Sequence, residues 1–152
     1  LVIEAVILGN SVGTVGDGQE ILPMMREIVP KTALVVDDEA LIRWSLSEGL
    51  ADAGWTVRQA ATGAEARAAV QSLAGQPFVI LLDLRLPDVS DLSLVCEIRA
   101  ARPDVPMIVM TAHGTNDDAA QALAAGCYSF VGKPFDVVEI VALVGAAASP
   151  RA

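Results

Sequence analysis

The chain has 152 residues, enough for one domain with a substantial core. Hydrophobic residues make up 53% and charged residues 19%, which excludes an intrinsically disordered chain. The formal net charge of −9 and a pI of about 4.4 exclude the basic footprint that grips phosphate backbones, so no direct nucleic-acid binding by this chain is expected.

In chain order, residues 1–30 come first, with the apolar run LVIEAVIL, a loop rich in glycine (Gly9, Gly13, Gly16, Gly18) and the short amphipathic piece GQEILPMMREIVP. LVIEAVIL is short, carries Glu4 and lacks a positively charged leader, so it makes a poor signal peptide. The glycines fit neither G-x-G-x-x-G nor a loop ending in Gly-Lys-Ser/Thr, which favours a linker over a nucleotide site. The chain begins without Met, as expected of a trimmed start or a fragment. Domain boundaries follow: an extension or linker over 1–30, one domain over 31–148 and a tail over 149–152.

From Thr32 onward, short apolar runs alternate with longer Ala/Leu-rich segments. The predicted strands are Ala33–Val36, Thr56–Ala60, Phe78–Leu82, Met107–Met110 and Tyr128–Val131. These runs are largely apolar on consecutive positions, as when both faces of a parallel sheet are covered. The predicted helices are Glu39–Ala53, Ala64–Leu73, Leu92–Ala101, Asp117–Ala125 and Val137–Val144. In the first, Leu41, Ile42, Leu46 and Leu50 segregate from Arg43, Ser47, Glu48 and Asp52 at helical spacing. Gly54, Gly75 and Gly126 stand where left-handed C-caps are wanted, and Thr62–Gly63 and Asn116–Asp117–Asp118 supply helix starts. Five such repeats predict a doubly wound α/β fold, a five-stranded parallel sheet sandwiched by helices. No run of about 18 uncharged apolar residues occurs, so no membrane span is expected. Cys96 and Cys127 are too few and too far apart for a disulfide scaffold or zinc site, and are expected as buried free thiols of a reducing cytoplasm.

In such sheets the chemistry lies outside the carboxyl ends of the strands. The first run ends in Asp37–Asp38–Glu39, the third in Asp83 and the fourth in Thr111; Lys133 follows the fifth, one residue past Gly132. The second ends in Ala61–Thr62 and offers no strong chemical group. Each residue has an ordinary reading: Asp83 as a turn residue, Asp37 and Asp38 as a capping pair, Lys133 as a solvated loop lysine. Jointly, they place several carboxylates, a hydroxyl and an ammonium on one sheet edge. Clustered carboxylates need a compensating cation, and an all-oxygen set suits Mg²⁺. Such a cation lets a carboxylate attack an anionic phosphoryl group, while Lys133 and Thr111 can each pair with a phosphoryl oxygen.

VVDDE at 35–39, LLDLRLPD at 81–88, MTAHG at 110–114 and GKPFD at 132–136 carry a resemblance to the receiver domains of two-component response regulators, over residues 32–146. AHG and KPFDVVEIVALV look most like receivers of the nitrogen-regulation type. The resemblance implies the flavodoxin-like receiver fold, with Asp83 as phosphoacceptor and no turnover enzyme beyond self-phosphorylation and autodephosphorylation. It implies Mg²⁺ held by Asp38 directly, Asp37 mainly through water, Asp83, and the backbone carbonyl of Arg85. Thr111 would swing toward the phosphate and Phe130 would turn inward on activation, with core packing as the plainer reading of Phe130. His113 and Arg85 would border the site and influence hydrolysis of the acyl phosphate. The Lys133–Pro134 bond would be cis.

The implied partners are a sensor histidine kinase or phosphotransfer protein, an output domain or downstream protein of transcription regulation, and a second copy through the fourth helix, fifth strand and fifth helix. A cytoplasmic location and no membrane partner go with this. One departure stands out: the family's common Asp-Gly pair reads Ser90–Asp91 here, where Asp91 can cap the third helix. A Mg²⁺-dependent phosphohydrolase with an aspartate nucleophile is the alternative, but such enzymes usually carry a second Asp where Arg85 stands. After the fifth helix only SPRA remains, so no ATPase or helix-turn-helix module is expected in this chain.

Overall fold

The computed structural model describes residues 31–112 and 114–149. The extension over 1–30, His113 and residues 150–152 of the tail lie outside them. Among the described residues, five β-strands alternate with five α-helices: β1 Thr32–Val36, α1 Ala40–Asp52, β2 Thr56–Ala60, α2 Gly63–Ser72, β3 Val79–Asp83, α3 Ser93–Ala101, β4 Met107–Thr111, α4 Asn116–Ala124, β5 Ser129–Gly132 and α5 Val137–Ala148. The strands form one parallel sheet in the order β2-β1-β3-β4-β5. The chain thus steps outward through α1 to β2, then returns past β1 to β3. The strand order reverses between β1 and β3, which is where a doubly wound sheet opens its crevice.

The three inner strands are buried from both sides, and their residues alternate between two cores, as successive strand residues must. Leu34, Val36, Ile80, Leu82, Met107 and Val109 face one layer, closed by Ala66 and Val70 of α2, Val95 and Ile98 of α3 and Ala122 of α4. Ala33, Val35, Val79, Leu81, Ile108 and Met110 face the other, closed by Leu46 and Leu50 of α1 and Ile140 and Val144 of α5. Fully burying each large aliphatic side chain contributes about 1.5–3 kcal/mol. Covering both faces therefore makes the inner strands the rigid frame of the fold.

The edge strands depart from the doubly covered reading. β2 exposes Thr56, Arg58 and Gln59, and no residue of β5 is fully buried; both strands lie at an edge of the sheet, with one side unpaired. Gly54, Gly75 and Gly126 adopt φ of +94°, +78° and +102°, the left-handed conformation that closes a helix. Thr62 caps α2 by accepting the Glu65 N–H at 3.1 Å. The start of α4 differs from expectation: Thr115, not Asn116, is its N-cap, in a reciprocal capping box with Asp118. The entry to α3 also differs: Leu92, not Asp91, is its N-cap and makes no side-chain cap bond, while Asp91 accepts the Ser93 N–H at 2.9 Å from one residue further out. α1 and α5 approach closely at Gly49, where an added Cβ would lie 2.7 Å from Val137 Cγ1.

Candidate functional site

Asp37, directly after β1, and Asp83, at the end of β3, meet because β1 and β3 are neighbours in register, with Val36 opposite Leu82. Asp37 is fully buried and Asp83 and Thr111 nearly so, the only buried polar or charged residues among those described. Asp38 is exposed at the rim of the same hollow. One carboxylate oxygen from each of Asp37, Asp38 and Asp83 lies within 4.8 Å of the other two. A hard cation with oxygen ligands fits this donor set, and Mg²⁺ matches its small size and its need for few protein carboxylates.

Lys133 reaches this hollow from the loop after β5. Its backbone N–H donates to the Thr111 carbonyl at 2.8 Å, extending the β4–β5 pairing. The ammonium donates to Asp37 Oδ2 at 2.7 Å, Asp83 Oδ2 at 3.1 Å and Glu39 Oε1 at 3.3 Å. The Lys133–Pro134 peptide is cis. Asp83 Oδ1 accepts the Arg85 N–H at 3.0 Å, and Asp37 Oδ1 accepts the Glu39 N–H at 2.9 Å. Each buried carboxylate is thus held by one backbone amide and one shared ammonium.

The electrostatics are unbalanced. Burial raises the Asp83 carboxyl above the ordinary aspartate range; the Arg85 amide and the Lys133 ammonium pull it back, and the neighbouring Asp37 charge adds to the rise. For Lys133, burial works against the charged form, but the bonds and charges of Asp37 and Asp83 outweigh it and hold the ammonium more firmly protonated. One fixed cation faces several carboxylates, and the surplus negative charge favours a second cation.

Thr111 borders a cleft of about 510 Å³ walled also by Arg85, Asp91, Cys96 and Asp118, so the outside can approach it from the α3–α4 side. Phe130 is half-buried, packed toward the α2–α3–α4 core, and its ring lies over Gly114: a Cβ there would fall 2.6 Å from Phe130 Cζ and 2.6 Å from Thr111 Cγ2. The site therefore unites Asp37, Asp38, Asp83, Arg85, Thr111 and Lys133, with Phe130 against Thr111. His113 lies outside the described residues.

Residues 33–145 match the family model of the response regulator receiver domain. The chain belongs to this family. It is 43% identical over 115 residues to the DNA-binding transcriptional regulator NtrC of Escherichia coli K12, covering 76% of this chain and 24% of that protein. It is 42% identical over 116 residues to the response regulator protein PilR of Pseudomonas aeruginosa, covering 76% and 25%. The chain spans about a quarter of the length of these curated relatives. Among solved structures, the receiver domain of NtrX from Brucella abortus matches with a TM-score of 0.69 at 31% identity, covering 76% of this chain and 97% of that one. The beryllofluoride-activated NtrC4 receiver domain dimer matches with a TM-score of 0.69 at 35% identity, covering 77% and 95%. The resemblance to receivers of the nitrogen-regulation type is borne out, as is the five-stranded receiver fold. Among the described residues, no helix is long and apolar enough to cross a membrane.

Three contacts of this receiver escaped the sequence. Arg43, one turn into α1, donates Nη1 to the Asp37 carbonyl at 2.6 Å and ties the acidic loop to the helix. Its place one turn after Glu39 was the available signal. Asp88 bridges the β3–α3 loop to α2, accepting the Gly63 and Ala64 N–H groups at 2.8 and 3.0 Å; these bonds hold its carboxyl below the usual range. Glu39 stood out as acidic, but its reach to Lys133 did not show. Cys96 is a correction: it is exposed on α3, where Leu94, Val95 and Ile98 take the inward face, whereas Cys127 is buried as expected.

Proposed function

We infer that this receiver accepts a phosphoryl group on Asp83 from the phosphohistidine of a sensor kinase or phosphotransfer protein, and that this switches a partner-binding surface. The observation that supports it best is the Lys133 ammonium in direct contact with the buried Asp83 and Asp37 carboxylates, with Asp38 completing an oxygen-donor cluster. Asp37, Asp38 and Asp83, with the backbone carbonyl of Arg85, are the residues that would hold Mg²⁺. When bound, the cation neutralises negative charge on the carboxylate and on the incoming phosphoryl oxygens together.

This chain's residues supply the rest. An Asp83 oxygen forms the new P–O bond as the P–N bond to the donor imidazole breaks, and the electron pair leaves on the imidazole nitrogen. Lys133 exchanges a carboxylate partner for a phosphoryl oxygen, and the Thr111 hydroxyl donates to another. As Thr111 moves toward the phosphate, the space it shares with Gly114 and Phe130 changes, which lets Phe130 and the surface of α4, β5 and α5 repack. Water later cleaves the acyl phosphate, with Arg85 bordering the path.

The receiver unit in this reading is 31–148, with 1–30 as an extension or linker. Its output is an attached module or separate protein of transcription regulation, its location cytoplasmic, and the α4–β5–α5 face can pair two copies. The test is intact-mass measurement after incubation with acetyl phosphate and Mg²⁺. One phosphoryl group is expected on the wild type, none without Mg²⁺ and none on Asp83→Asn. Undiminished incorporation in Asp83→Asn would overturn the assignment.

A further inference from the structure

Glu39 occupies the N-cap of α1, a position that favours Ser, Thr, Asp or Asn because their short side chains accept an N–H of the first turn. Glu39 makes no such cap bond. Its carboxylate instead reaches the Lys133 ammonium at 3.3 Å, across to the loop after β5. Its own backbone N–H meanwhile holds Asp37 Oδ1 at 2.9 Å. An ammonium has three N–H donors, and here three carboxylates take them: Asp37, Asp83 and Glu39. The three are not equivalent. Asp37 and Asp83 are buried and their bonds are the shorter ones, while Glu39 is exposed and its bond the longest. The Glu39 partner is therefore the easiest for Lys133 to give up.

We propose that Glu39 is a positioning residue of the phosphoryl-transfer reaction, acting through Lys133. In the resting state it occupies the Lys133 donor that an incoming phosphoryl oxygen must take, and so sets how readily the ammonium is released. This rests on the reading of Asp83 as phosphoacceptor and goes beyond it by assigning a residue that tunes the rate. With acetyl phosphate as donor, the Asp83 Oδ–P bond forms as the P–O bond to acetate breaks, and acetate leaves with the electron pair. Glu39 takes no part in that exchange of bonds. It competes for the cation that stabilises it.

The test measures the rate of Asp83 phosphorylation by acetyl phosphate at saturating Mg²⁺, by intact mass, for the wild type, Glu39→Gln and Glu39→Asp. Glu39→Gln is expected to react about two to five times faster, the range an exposed ion pair commands. Glu39→Asp keeps the charge on an arm one methylene shorter, out of reach of Lys133, and is expected to be accelerated as well. Thermal melts of the three proteins show that the fold is shared. A Glu39→Gln rate at or below the wild type overturns the proposal. Acceleration of Glu39→Gln with Glu39→Asp at the wild-type rate also overturns it, since the effect then comes from charge on the incoming anion and not from the Lys133 contact. A labelled wild type with an unchanged Glu39→Gln rate refutes this inference alone, whereas a wild type that takes no label refutes the phosphoacceptor reading and this inference with it.

Discussion

Asp83→Asn is expected to stabilise the fold in the absence of divalent cations and to destabilise it, relative to wild type, in their presence. Oxygens of Asp37 and Asp83 lie within 4.8 Å of each other, a repulsion of about 3.5 kcal/mol at an effective dielectric of about 20. Lys133, 3.1 Å from Asp83, returns about 5 kcal/mol on the same scale. Desolvation of the nearly buried carboxylate costs several kcal/mol more.

The balance is against the ion, in keeping with an Asp83 carboxyl raised above its ordinary value by burial and by Asp37. A neutral isostere at this position is therefore favoured by about 1–2 kcal/mol, or roughly 4–8 °C in Tm. Lys133 is not orphaned, since Asp37 and Glu39 remain. The pH dependence has a definite sign. A raised carboxyl favours the folded state while protonated, and that contribution is lost as pH rises from its ordinary value of 3.8 through the raised one. The gap between variant and wild type should thus be smallest in acid and open toward neutrality.

Saturating Mg²⁺ at a hundred times its dissociation constant adds about 2.7 kcal/mol to a protein that binds it only when folded. The wild type should gain most of this, and the variant, lacking one carboxylate, much less. Thermal denaturation with a chelator and with Mg²⁺ makes the comparison. The reasoning is refuted if Asp83→Asn melts below the wild type in chelator, or if Mg²⁺ raises both alike.

Gly114→Ala places a methyl group where Phe130 Cζ and Thr111 Cγ2 now lie 2.6 Å away, so the Phe130 ring must move outward. A cost of about 1–3 kcal/mol in stability and a change in the ring's resonances are expected, and NMR with denaturant titration reads both. Of the two thiols, Cys96 should react quickly with a disulfide reagent in the folded protein, while Cys127 waits for unfolding. Burial removes access to Cys127 and pushes its thiol up to about 11, so little thiolate is present at neutral pH.

The alternation of strands and helices was legible from residue order alone, because an inner strand of a parallel sheet needs apolar residues on both faces and shows as a continuous run. Asp37, Asp83, Thr111 and Lys133 were legible for a related reason: each interrupts or follows such a run, and strand ends are where a buried frame meets a polar crevice. Gly54, Gly75 and Gly126 announced their helix ends through the positive φ that other residues avoid.

What tertiary structure decided concerns contacts between segments distant in the chain. Strand order placed β1 beside β3 and left β2 at the edge, so its exposed Arg58 and Gln59 did not fit a doubly covered strand. The orientation of α3 about its axis put Cys96 outside while Leu94, Val95 and Ile98 went in. The same assembly brought Asp88 onto the first amides of α2, and Glu39 onto Lys133, a partner that no local pattern marks. Local periodicity is written in neighbouring residues, whereas an ion pair between Glu39 and Lys133 exists only once five strands have been laid side by side.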